Sequence, residues 1–112
     1  QGTREKVLKH SMRERAFQLT ARRVAQENQS GKTPGAATSI FKLVGANLAR
    51  NSTELKSEMM GTNGIGWEGE EFSDKELETT RNWLNSRAVT IYGGTNEVQM
   101  NIISKRVLGL PE

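Results

Sequence analysis

TIYGGTNEVQMNIISKRVLGLPE, residues 90–112, is the stretch on which the fold turns. Gly93 and Gly94 follow the apolar pair Ile91 and Tyr92 and lead into Thr95, whose hydroxyl suits a helix N-cap. Val98, Ile102, Ile103 and Val107 recur at helical spacing, so the stretch reads as a bend followed by a helix over 96–108. Gly109, with Pro111 beyond it, closes that helix. Glycines ahead of a helix start leave amides that favour an anion, because no Cβ keeps a ligand off the backbone and the helix dipole is positive there. A plain cap with no ligand satisfies the same residues.

Working outward, Ser73 stands three residues before Glu76, the spacing of a capping box, and predicts a helix over 74–89 with Leu77, Leu84 and Ala88 facing inward. The preceding GTNGIGWEGEE, residues 61–71, has four glycines and predicts an irregular loop, packed through Trp67 rather than free. Over 36–60, Ala37, Ile40, Phe41, Val44, Leu48, Leu55 and Met59 fall in one stripe and predict a single-faced helix. Residues 30–35 (SGKTPG) form a turn cluster stiffened by Pro34. Before it, residues 3–29 lack glycine and proline and read as one long helix. Its Leu8, Met12, Ala16 and Leu19 lie on one side and its Phe17, Ala21 and Val24 on nearly the opposite side. Two apolar faces on one helix predict a contact beyond the chain's own core. The short turn places the first two helices antiparallel, and the fold class is all-α, an antiparallel four-helix bundle.

Composition narrows function by exclusion. The 112 residues suit one domain. They contain no cysteine, which removes disulfides, thiolate zinc sites and cysteine nucleophiles and permits a cytoplasmic setting. The lone histidine, His10, sits beside Lys9 and Arg13 and reads as a solvated residue, so no metal site is expected. No apolar run approaches the ~20 residues of a membrane span. The formal charge of +3 is small, and Glu5, Glu14 and Glu27 are interleaved with the basic residues of the first helix. That pattern fits a solvated helix face, and no nucleic-acid partner is expected.

The run IYGGTNEVQMNIISKRVLGLP resembles the C-terminal signature of the acyl-CoA dehydrogenase family over about twenty positions. The order of KTPGAATSIFKL, MMGTNGIGW and WLNSRAVT agrees with it, so the resemblance spans the chain but only the C-terminal all-α part of such an enzyme. It implies an FAD-dependent α,β-dehydrogenation of acyl-CoA thioesters. It also implies an electron-transfer flavoprotein as electron acceptor, and self-association or pairing with other dehydrogenase subunits. By resemblance, Gly94, Thr95 and Glu97 become candidates for FAD contact, and Tyr92 and Gly93, with Ile91, for the acyl thioester. Many members place a flavin-contacting Gln three residues before the glycine that ends the second helix. Here that residue is Glu58, whose carboxylate would repel a pyrophosphate, so it is assigned to the surface.

One branch of the family carries its catalytic glutamate where this chain has Gly93. A base needs a carboxylate within reach of the α proton, so no catalytic residue is assigned and the chain is not expected to catalyse alone. It reads as a fragment of a larger enzyme, with a C-terminal flavin-contacting and oligomerisation role. The alternative is a non-catalytic helical assembly module with no flavin.

Overall fold

The second helix is the axis of the fold, and the residues on both its sides explain why. The computed structural model describes residues 2–31 and 37–111, which form α1 (Gly2–Gln29), α2 (Ala37–Met59), α3 (Asp74–Asn85) and α4 (Asn96–Ile102). Among the described residues there is no strand. The expected turn at Pro34 lies outside them. α1 packs antiparallel on α2: Phe17 meets Phe41 edge-to-face at 5.7 Å near one end, and Lys6 pairs with Glu58 at 2.6 Å near the other. The aromatic pair contributes about 1 kcal/mol beyond its buried area.

The opposite side of α2 is the surprise. Ser39, Lys42, Ala46, Thr53 and Ser57 share one face and meet α3, α4 and the loops between them. Ser39 and Ala46 are buried there, while Leu48 is buried on the α1 side. The single apolar stripe read from the sequence is therefore one of two packing faces. The other works through small residues that allow close approach and through hydrogen bonds. Thr53 Oγ1 donates to Ser86 Oγ at 3.0 Å, and Ser57 Oγ donates to the Gly64 carbonyl at 3.1 Å.

Residues 61–65, expected to be irregular, form a short 3-10 turn (Gly61–Ile65). It is possible because Gly64 is buried against the Ser57 carbonyl, where any Cβ would collide. Thr80, the most buried polar residue of α3, also donates to the Gly64 carbonyl. Trp67 is half-exposed, with the Arg81 guanidinium 5.4 Å over its ring and donating to its carbonyl. α3 starts at Asp74 behind the Ser73–Glu76 capping box, as the spacing predicts. It ends at Asn85 and tightens into a 3-10 turn, Ser86–Thr90, because Ser86 and Thr90 each bond the carbonyl three residues back. Its inward residues are Thr80 and Trp83, not Leu84 and Ala88, which are exposed.

The capping box carries a prediction. The Glu76 carboxylate accepts from the Ser73 backbone amide and from Asn63, and these bonds hold its pKa below the ordinary glutamate value. A depressed carboxylate stabilises the fold above its unfolded pKa. The contribution is lost as pH falls below about 4.3 toward the folded value. Ser73→Ala is expected to cost roughly 1 kcal/mol of stability. Glu76→Gln should flatten the acid limb of stability against pH, and both are checked by thermal unfolding over pH 3 to 6 (roughly the glutamate range).

Candidate functional site

The corner between the Ser86–Thr90 turn and α4 holds every candidate site residue. The amides of Ile91 and Tyr92 both donate to the Ala88 carbonyl, at 2.9 and 3.0 Å, which ends the 3-10 turn and leaves both side chains largely exposed. Gly93 and Gly94 follow at φ +69° and +99°, conformations that L side chains rarely adopt. Thr95 returns to extended backbone and caps α4, its Oγ1 accepting from the Val98 amide at 3.3 Å. Glu97 is exposed in the first turn of α4, and among the described residues it has no ion-pair partner.

The two glycines differ in their surroundings. A Cβ on Gly93 would meet nothing nearer than Lys42 Cε at 3.7 Å, whereas a Cβ on Gly94 would stand 2.5 Å from Gln99 Nε2. Gly93 is exposed, and the side where its Cβ would be rests against the Lys42 stem at ordinary contact distance. That side of Gly94 is filled by the chain itself. Beneath the corner, Gln99, 7% exposed, donates to the Gly93 carbonyl at 3.1 Å. Lys42 of α2 donates to the carbonyls of Gly94 at 2.7 Å and Val89 at 3.1 Å. Asn96 Nδ2 donates to Asn47 Oδ1 at 3.1 Å, which ties the first turn of α4 to α2.

Lys42 and Gln99 are the residues that sequence reasoning missed. Both lie outside the contiguous run of candidate residues, and the only signal was a cation, Lys42, on the small-residue face of α2. The C-terminal helix also differs in its last turn: α4 is regular through Ile102 and then widens into a π turn, Ile103–Val107. Gly109, at φ +64°, closes it, with the Leu110 amide donating to the Ser104 carbonyl at 3.0 Å.

Glu58 makes the ion pair with Lys6 already described, which fits its surface assignment. His10 does not sit on a freely solvated face. It is half-buried in an open groove of about 320 Å³ between α1 and α2, beside Arg13, Glu54 and Glu58. No candidate site residue lines that groove. Among the described residues no group of three His, Cys, Asp or Glu could hold a metal, and no helix is long and apolar enough to cross a membrane.

The described residues form an all-α domain built on a central helix, the class of helical domain that the C-terminal part of a dehydrogenase family supplies. Residues 1–108 match the family described as acyl-CoA dehydrogenase, C-terminal domain, and the chain belongs to that family. It is 44% identical over 85 residues to the acyl-CoA dehydrogenase IpdE1 of Mycobacterium tuberculosis, covering 76% of this chain and 21% of that protein. Against the IpdE1 of Mycolicibacterium smegmatis it is 47% identical over 72 residues, covering 64% and 17%. Against the acyl-CoA dehydrogenase FadE34 of M. tuberculosis it is 31% identical over 93 residues, covering 83% and 12%. The chain therefore spans about a fifth or less of the length of these relatives. No solved structure gives a significant match.

Proposed function

We propose that this chain serves an FAD-dependent acyl-CoA dehydrogenase as its flavin-contacting and subunit-packing C-terminal domain, without catalysing on its own. The observation that carries the reading is the corner at residues 93–97. Neither the Gly94 nor the Thr95 amide has a hydrogen-bond partner among the described residues, Gly93 is open to solvent, and an unpaired Glu97 carboxylate stands one step further on. Free amides suit the acceptor oxygens of a flavin nucleotide, and a carboxylate suits its hydroxyl or N–H donors. Bound FAD supplies the hydride acceptor for α,β-dehydrogenation of an acyl-CoA thioester. In this reading the corner binds and orients the cofactor, and exposed Tyr92 beside Gly93 flanks the acyl thioester.

Gly93 offers no carboxylate, so the base that takes the α proton belongs elsewhere in the enzyme. Electron-transfer flavoprotein as the acceptor of the electrons, and a cytoplasmic setting, belong to the same proposal. Glu97→Ala tests it, because Glu97 bonds to no other described residue and its loss leaves the fold untouched. In the intact flavoprotein the substitution is expected to weaken FAD binding about tenfold, the value of one hydrogen bond to a charged group. Unchanged flavin retention in both Glu97→Ala and Gly93→Ala would sink the cofactor half of the reading and favour an assembly module without flavin.

A further inference from the structure

We infer that Lys42 and Gln99 are positioning residues for the flavin-contacting corner: by drawing the carbonyls of Gly94 and Gly93 toward the bundle, they aim the amides of Thr95 and Gly94 outward at the nucleotide. The inference rests on the proposed function above. In a trans peptide the carbonyl and the following N–H point in opposite directions within one plane. No described peptide bond is cis. Gln99 Nε2 holds the Gly93 carbonyl at 3.1 Å, so the Gly94 N–H, across the same plane, points away from Gln99. Lys42 Nζ holds the Gly94 carbonyl at 2.7 Å, so the Thr95 N–H points away from Lys42. Two successive amides turned to one side form the kind of concavity that takes an acceptor oxygen.

The glycines make these anchors necessary. With no Cβ at either position, the two peptide planes are free to rotate and nothing in the bend itself fixes which way they face. Lys42 comes from a different helix and also grips the Val89 carbonyl at 3.1 Å, so it clamps the bend at its entry and its exit. No ion-pair partner of Lys42 occurs among the described residues. Its charge, bonded to two carbonyls, lies behind the two amides and attracts the same pole of a ligand that they do.

The test uses the intact flavoprotein and reads FAD dissociation from flavin absorbance, alongside thermal unfolding of the apoprotein. Lys42→Met keeps the length of the side chain and removes its donors. Gln99→Glu keeps the shape and replaces the donor by an acceptor. Each is expected to weaken FAD binding at least tenfold. Lys42→Arg, which restores donors to both carbonyls, should return binding to within about threefold of the parent. The apoprotein should melt at a similar temperature in Lys42→Met and Lys42→Arg. If Lys42→Met and Gln99→Glu keep FAD as tightly as the parent while Glu97→Ala loses it, the positioning role is overturned and the proposed function stands. Loss of FAD in step with loss of folding, not restored by Lys42→Arg, also overturns it. If none of the substitutions, Glu97→Ala included, affects FAD, the proposed function itself falls.

Discussion

Gly94→Ala is expected to destabilise the domain by roughly 3 kcal/mol, against roughly 1 kcal/mol for Gly93→Ala, although the two glycines are neighbours with the same sign of φ. At Gly93, φ +69° lies near the left-handed region that alanine enters at a cost of about 1–2 kcal/mol, and the new methyl meets only the Lys42 stem at 3.7 Å. At Gly94, φ +99° lies beyond that region, so the backbone term is larger. The new methyl also stands 2.5 Å from Gln99 Nε2 and pushes that amide off the Gly93 carbonyl. A part-buried hydrogen bond is lost with it, which adds about 1 kcal/mol. The midpoint of unfolding of the protein measures both variants. The double variant Gly94→Ala/Gln99→Ala supplies the diagnostic, because removing the amide relieves the clash and its cost should fall below the sum of the two single costs. Equal destabilisation by Gly93→Ala and Gly94→Ala would mean that Gln99 does not fill the space beside Gly94.

How much of this was legible depends on which forces place each residue. Helix starts that rest on local chemistry were readable: the Ser73–Glu76 box and the Thr95 cap stand where their spacing puts them. The side of α1 that packs on α2 was readable because Phe17 marks it, and Leu8, Met12 and Leu19 stand exposed on the other side. The inner face of α2 was not, because Ser39, Ala46, Thr53 and Ser57 look like a solvated side until close helix approach and loop carbonyls give their small side chains partners. The same blindness hid Leu84 and Ala88: in α3 the buried polar Thr80 and the half-buried Trp83 displace them from the inside. At the corner, the glycines, Thr95 and Glu97 form one contiguous run, so the sequence exposes them directly. Lys42 is 52 positions from Gly94, and no local pattern links a cation on one helix to a carbonyl on another. The π turn at Ile103–Val107 has no sequence signal of its own, since apolar spacing alone does not separate it from another α turn.

Charging the outer face of α1, by Leu8→Glu with Met12→Glu, is expected to abolish the subunit packing that the proposed function assigns to this domain. Leu8, Met12 and Leu19 are 55%, 71% and 50% exposed on the side of α1 opposite the Phe17 contact with α2. The chain as a whole carries too much surface for a closed unit. Its accessible area is 8219 Å², against about 6,200 Å² for a compact monomer of its mass. Its radius of gyration is 17.5 Å, against about 13 Å for a compact domain of its length. The buried apolar residues among those described are only Ala46 and Leu48. The excess, about 2,000 Å², is what one side of two standard protein interfaces would cover. A hydrophobic core this small does not outweigh chain entropy unless more apolar surface is buried against other chains or domains. Each large side chain covered on α1 adds about 1.5–3 kcal/mol to association, and a glutamate in its place adds the cost of burying a charge. Light scattering on the size-exclusion peak decides the matter. The parent should run well above the mass of one subunit, the Leu8→Glu/Met12→Glu variant should fall toward it, and Arg15→Glu, which changes charge without removing apolar area, should stay with the parent. A parent already monomeric at micromolar concentration would leave this face without an intersubunit partner and end the assembly half of the proposed function.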